Sequence, residues 1–101
     1  MKPDKVLSYL GLAMRGHNLV SGELQTEDAV KSGKAILVIV AEDASENTKK
    51  LFWDKCSYYE VPIYSYGTKQ SLGRAIGKDQ RSSLAVTDAG LAHAIEKSMQ
   101  S

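Results

Sequence analysis

The sequence predicts an α/β protein built as a three-layer α/β/α sandwich, and three observations carry that prediction. Residues 35–41, Ala-Ile-Leu-Val-Ile-Val-Ala, form an uninterrupted apolar run rich in β-branched residues, which stops abruptly at Glu42 and Asp43. A run this short reads as a strand buried on both faces, because a strand with one wet face alternates apolar with polar residues. Apolar residues at helical spacing lie before and after it, supplying the cover such a strand needs. Further short strand patterns then alternate with helical ones, the order expected of a sheet with helices on both faces.

Taken in order, Pro3 and Asp4 open a first helix whose Val6, Leu7, Leu10, Ala13 and Met14 share a face until Gly16 ends it. His17 and Asn18 turn the chain. Leu19 and Val20 make a stub of edge strand, closed by Ser21 and Gly22. Residues 23–32 read as a second helix with Leu24, Ala29 and Val30 inward, Glu23 where the helix dipole favours an acid, and Gly33 at its C-terminal end. After the buried strand, Asp43 and Glu46 predict a capping box for a third helix. That helix carries Thr48, Leu51, Phe52, Cys56 and Tyr59 on one side and Lys49, Lys50, Asp54 and Lys55 on the other.

Residues 61–66 form the next strand, with Pro62 marking its beginning. Gly67 and Thr68 turn into a fourth helix over residues 69–76, ended by Gly77. Residues 78–83 are a polar loop, residues 84–87 a short strand, and Asp88 caps a last helix bearing Leu91, Ala92, Ile95 and Met99. Helices between successive strands predict a mostly parallel sheet.

The chain of 101 residues is the size of one domain with one core, so residues 1–101 are expected to form a single unit. Its 43% hydrophobic and 25% charged content is ordinary for a soluble protein, and a formal net charge of +1 does not by itself advertise a nucleic-acid partner. The charge is unevenly spread. Residues 67–87 set Lys69, Arg74, Lys78 and Arg81 against Asp79 alone, whereas in residues 22–48 the carboxylates far outnumber Lys31 and Lys34. A lone cysteine, Cys56, excludes an internal disulfide and fits a reducing compartment. The N-terminus lacks a secretion signal's apolar core, and no apolar run approaches the roughly 20 residues that span a bilayer. A cytoplasmic protein without membrane contact is expected.

Catalysis finds little support. Glu42 and Asp43 follow a buried strand, where α/β proteins place ligands, but capping accounts for Asp43, Thr68 and Asp88 more simply. His17 and His93 lack metal-ligand spacing. Cys56 lies among Phe52 and Tyr59 as a buried thiol, and no glycine-rich phosphate loop is present. No enzyme, cofactor or metal is expected. A better lead is the start of the second helix at Ser21 and Gly22, where free amides suit phosphate. The basic cluster Lys69, Arg74, Lys78 and Arg81 suits an RNA backbone and equally a solvated basic helix face.

Three blocks of sequence then show a likeness. Residues 19–23 (Leu-Val-Ser-Gly-Glu), 31–44 (Lys-Ser-Gly-Lys-Ala-Ile-Leu-Val-Ile-Val-Ala-Glu-Asp-Ala) and 68–77 (Thr-Lys-Gln-Ser-Leu-Gly-Arg-Ala-Ile-Gly) resemble the kink-turn-binding ribosomal-protein superfamily. Residues 14–23, Met-Arg-Gly-His-Asn-Leu-Val-Ser-Gly-Glu, are most similar to its bacterial YlxQ-type branch. The resemblance implies a four-stranded mixed sheet and non-catalytic binding of RNA bent at tandem sheared G·A pairs.

It further implies a Gly-x-Asn-Glu-x-x-Lys signature at the start of the second helix, where this chain has Gly22, Leu24, Gln25 and Asp28. Only the glycine is kept. Leu24 replaces an amide, Gln25 loses a carboxylate, and Asp28 sets an anion where the family sets a cation. The family's loop before the last strand covers a flipped-out nucleotide with apolar side chains. Here residues 78–83 read Lys-Asp-Gln-Arg-Ser-Ser, leaving Arg81 to stack on a base and Lys78 to meet a phosphate, beside Ser82 and Ser83. The turn at Glu42 and Asp43 matches the family, and Lys34 and Lys69 fall at its basic positions. The expected partner is structured RNA with a kinked internal loop, in the setting of the ribosome or translation machinery, bound by a monomer with Ser21, Gly22, Glu23, Leu24 and Gln25 at the contact. A protein-interaction module with weakened RNA binding is the alternative.

Overall fold

A computed structural model describes residues 4–100. The elements run α1 (Lys5–Arg15), β1 (Leu19–Ser21), α2 (Glu23–Lys31), β2 (Leu37–Val40), α3 (Glu46–Tyr59), β3 (Ile63–Ser65), α4 (Lys69–Ala75), β4 (Ser83–Val86) and α5 (Ala89–Gln100). Asp4 caps α1, its Oδ1 accepting from the Leu7 amide at 3.0 Å; Pro3, expected beside it, lies outside the described residues. The apolar run is buried from Leu37 to Ala41, whereas Ile36, ahead of the strand, is 38% exposed. All four residues of β2 are buried, with Leu84, Ala85 and Val86 of β4 alongside and Leu10, Phe52, Leu72 and Ile95 packed on the sheet from the helices. Each such side chain contributes about 1.5–3 kcal/mol of transfer free energy.

The strand order is β1-β4-β2-β3. β2 and β3 are parallel, with Val38 opposite Ile63, whereas β4 runs antiparallel to both β1 and β2, with Ala85 opposite Val20 and Val38. The sheet is therefore mixed, as the resemblance implies, and not mostly parallel, as alternation alone predicts. The reason lies in the connection before β4. With seven residues, α4 is about 10 Å long, and the loop after it doubles back along it, donating from the Arg81 amide to the Lys69 carbonyl at 3.0 Å. The chain thus returns to the sheet at the end it left, so β4 must run opposite to β2 and β3.

The helices form two groups, α2 with α3 and α1 with α4 and α5, covering the two faces. Because α2 follows the end of β1 and α3 the end of β2, both helices start at the same end of the sheet. That end carries the candidate site.

Candidate nucleic-acid interface

Four loops meet where β1, β2 and β3 end and β4 begins. Their backbones are laced together: Gly22 donates to the Ser83 carbonyl (3.0 Å), Ala41 to Ser82 (2.9 Å), Glu42 to Gly67 (2.8 Å) and Arg81 to Lys69 (3.0 Å). Two side chains complete the lacing. Asp43 Oδ1 accepts from the Lys69 amide at 2.8 Å, and Arg81 Nε donates to Ser21 Oγ at 3.2 Å, with its Nη1 on the Gln80 carbonyl at 3.0 Å. Ser21, Gly22, Glu42, Asp43, Lys69, Arg81 and Ser82, far apart in sequence, therefore share one rigid rim.

The start of α2 projects from this rim. Gly22 is its N-cap at φ 93°, ψ 154°, with no side-chain cap. This torsion lies in a region open to glycine and strained for other residues, yet a Cβ built there would meet no atom within 4 Å. The glycine answers a backbone requirement and leaves empty space in front of it. Among the described residues nothing accepts from the amides of Glu23, Leu24 and Gln25; the first satisfied amide is that of Thr26, donating to the Gly22 carbonyl at 2.9 Å. The helix dipole adds partial positive charge at the same point. By contrast, side chains cap α1 through Asp4, α3 through Ser45, α4 through Thr68 and α5 through Asp88.

Leu24, Gln25 and Asp28 line up on the outer face of α2, three and four residues apart. Leu24 is 70% exposed, so the expectation that it points inward is wrong. The phase of α2 is set by Thr26, Ala29 and Val30, all buried. Asp43 departs from expectation as well: Ser45 caps α3, accepting from the Thr48 amide at 3.1 Å, while Asp43 turns across the rim to the Lys69 amide, the first of α4, whose N-cap is Thr68.

Two residues singled out in the sequence fall elsewhere. Lys34 lies beyond the C-terminus of α2, about 13 Å along that helix from its start. Ser83 opens β4 instead of ending the loop and is fully buried, presenting only its carbonyl to Gly22. Glu23, the first residue of α2, is exposed beside the rim; Lys78 is exposed beyond the C-terminus of α4, its amide donating to the Gly73 carbonyl at 2.8 Å. Gly73 was not singled out, although it is decisive for the loop: a Cβ there would run into the Asp79 backbone. Its signal was a glycine inside a helix, which costs about 1 kcal/mol against alanine unless close approach requires it.

The rim offers amides, cations, an amide side chain and an exposed leucine, but no catalytic set. Burial pushes the Cys56 thiol up to about 11, leaving it protonated and unreactive at neutral pH. Among the described residues, no group of His, Cys, Asp and Glu could hold a metal ion, and no helix is long and apolar enough to cross a membrane.

Residues 4–96 match the family described as ribosomal protein L7Ae/L30e/S12e/Gadd45. The chain belongs to that family. Within it, the chain is 46% identical over 84 residues to a Bacillus subtilis protein named RNA-binding protein YlxQ, covering 83% of this chain and 84% of the relative. A protein of the same name from Enterococcus faecium is 43% identical over 89 residues, covering 88% and 85%. A solved structure from Bacillus halodurans, described as of unknown function, superposes with a TM-score of 0.94 at 42% identity, over 98% of this chain and all of that one. The likeness to the YlxQ branch and the α/β/α fold with its mixed sheet both stand.

Proposed function

We propose that this chain is a non-catalytic RNA-binding protein whose target is structured RNA with a kink-turn-like internal loop, associated with the ribosome or translation machinery. The observation that carries the reading is the uncapped start of α2. Its three free amides and the open space before Gly22 stand on a rim bearing Arg81 and Lys69. RNA supplies what this surface lacks: phosphates for the amides and cations, base edges for Glu23 and Gln25, and an apolar base face for Leu24. Ser21 acts by holding Arg81, Asp43 by fixing Lys69, and Ser82 and Ser83 through their carbonyls. Glu42 is free to accept from a base amino group or a 2′-hydroxyl. Lys78 meets phosphate; Lys34 takes no part. The family's description and the names of the relatives support an RNA ligand.

Asp28 and Leu24 temper the affinity, since an anion replaces a phosphate-neutralising cation and an apolar group replaces a base-reading amide. The same exposed Leu24 beside Asp28 favours a second reading, in which the rim docks a protein. Titrating the protein against a kink-turn RNA, the same RNA without its G·A pairs, and a plain duplex, at two salt concentrations, separates them. Tight binding confined to the first RNA is expected. Equal, weak and salt-sensitive binding to all three would overturn the proposal in favour of nonspecific charge, and no binding to any would favour a protein partner.

A further inference from the structure

The chain's one tryptophan stands on the surface of α3. Trp53 is 43% exposed and lines a shallow cleft with Glu46, Lys49, Lys50 and Ser65. The phase of the helix puts it there. Phe52 and Cys56 are buried, and Lys55 reaches Glu27 of α2 at 4.0 Å. Trp53, two residues before Lys55 and so about 200° round the helix, faces away from α2, beside the edge strand β3. Glu46, Lys49, Lys50 and Trp53 stand three or four residues apart and share that face. Ser65 ends β3, two residues before the Gly67 carbonyl that accepts from the Glu42 amide, so the cleft adjoins the rim.

Most groups in the cleft lack a protein partner. Among the described residues no ring or cation contact involves Trp53, no hydrogen bond engages Ser65 Oγ, and no ion pair includes Lys50. Lys49 meets Glu46 at 3.8 Å, a loose contact to a side chain that is 93% exposed and worth little in water. Asp54 lies in the neighbouring groove with Leu51, Lys55 and Tyr58. Glu46 is therefore the one acid of the cleft, set against two lysines.

We infer that this cleft is a stacking platform for an unpaired RNA nucleotide beside the kinked element. The inference rests on the RNA reading and extends it to single-stranded sequence next to the kink. Trp53 is the one apolar side chain of the five, so the cleft lacks the contiguous apolar surface that marks a protein-docking site. A lone aromatic flanked by cations and a hydroxyl matches a nucleotide instead. The indole stacks on the base, Lys49 and Lys50 meet the phosphates beside it, and Ser65 Oγ bonds a 2′-hydroxyl or base edge. Stacking accepts any base, so the platform adds affinity with little preference for sequence.

Because Trp53 is the sole tryptophan, its fluorescence reports on this site alone. The test titrates the protein with blunt kink-turn RNA and with the same RNA extended by a short single strand at one end or the other. Blunt RNA should bind without quenching Trp53. One of the extended RNAs should quench it and bind about 10-fold more tightly, the size of one base–aromatic stack. Trp53→Ala should lose that gain. Lys49→Gln/Lys50→Gln should lower the slope of log affinity against log salt by about 0.7 per phosphate for the extended RNA, and leave the slope for blunt RNA unchanged. This double variant breaks only the loose pair with Glu46 and should melt as wild type does. Extensions that neither quench Trp53 nor tighten binding, with blunt RNA still bound, would overturn the platform, leave the RNA reading intact and assign the face to a protein partner. Quenching by blunt RNA, or weaker binding of it by the double variant, would set the cleft against duplex and also overturn the platform. If no RNA binds, the RNA reading itself fails and the platform falls with it.

Discussion

Replacing Gly22 by alanine separates what the backbone requires from what a ligand requires, and Gly33 supplies the control. Both glycines have positive φ, 93° and 79°, and at both a new Cβ would meet no atom of the protein within 4 Å. Each substitution forces an L-residue into a strained backbone region at a cost of about 1–3 kcal/mol. For a chain of this size each kcal/mol lowers Tm by about 4–8 °C. The two variants should therefore melt below wild type by comparable amounts. They should differ in binding, because Gly33 lies at the far end of α2 while the methyl group at Gly22 projects into the space in front of the free amides. Gly33→Ala should bind kink-turn RNA as wild type does, whereas Gly22→Ala should lose about 10-fold or more, equivalent to at least about 1.4 kcal/mol. Isothermal titration well below both melting points reads this directly. Equal affinities for the two variants would show that nothing approaches Gly22.

Other substitutions probe separate links. Asp28→Lys removes an anion and adds a cation on the outer face of α2, so RNA should bind more tightly and with a steeper salt slope, measured by titration at several salt concentrations. Gly73→Ala pushes the Asp79 backbone outward and should cost about 1–3 kcal/mol in urea unfolding while weakening RNA binding through the displaced loop. The hydrogen bond from Tyr66 to Asp4, with smaller contributions from burial and the nearby charges of Asp4 and Glu42, pushes the Tyr66 phenol up to about 12. The folded state then holds this proton more tightly than the unfolded chain, so the contribution is complete below the ordinary phenol pKa of about 10 and fades as pH rises toward 12. Stability measured from pH 8 upward should fall less steeply in Tyr66→Phe than in wild type.

The apolar run at residues 35–41 announced a buried strand, because an exposed strand alternates apolar with polar side chains, and β2 is buried along its whole length, with Ile36 before it the exposed member of the run. Gly22 was legible for a similar reason: a glycine before an acidic helix start marks a special backbone. The sheet order was not legible. Nothing local says that the loop after α4 folds back along it, and that detail alone reverses β4. The cap at Asp43 misled for the same cause, since its partner, the Lys69 amide, is brought near only by the fold, while Ser45 stood closer to the helix that needed capping. Leu24 misled because its hydrophobicity suggested burial, although Thr26 occupies the inward position. Lys34 was assigned by resemblance to the rim end, and its distance along α2 became visible only in three dimensions.

Whether the free amides at the start of α2 face RNA is read by amide chemical-shift mapping of the 101-residue chain with kink-turn RNA. The largest changes should fall on Gly22, Glu23, Leu24 and Gln25, with Lys69 and Arg81 beside them, while Lys34 at the far end of α2 stays still. Shifts centred on another face, with the first turn of α2 unmoved, would show that RNA binds elsewhere.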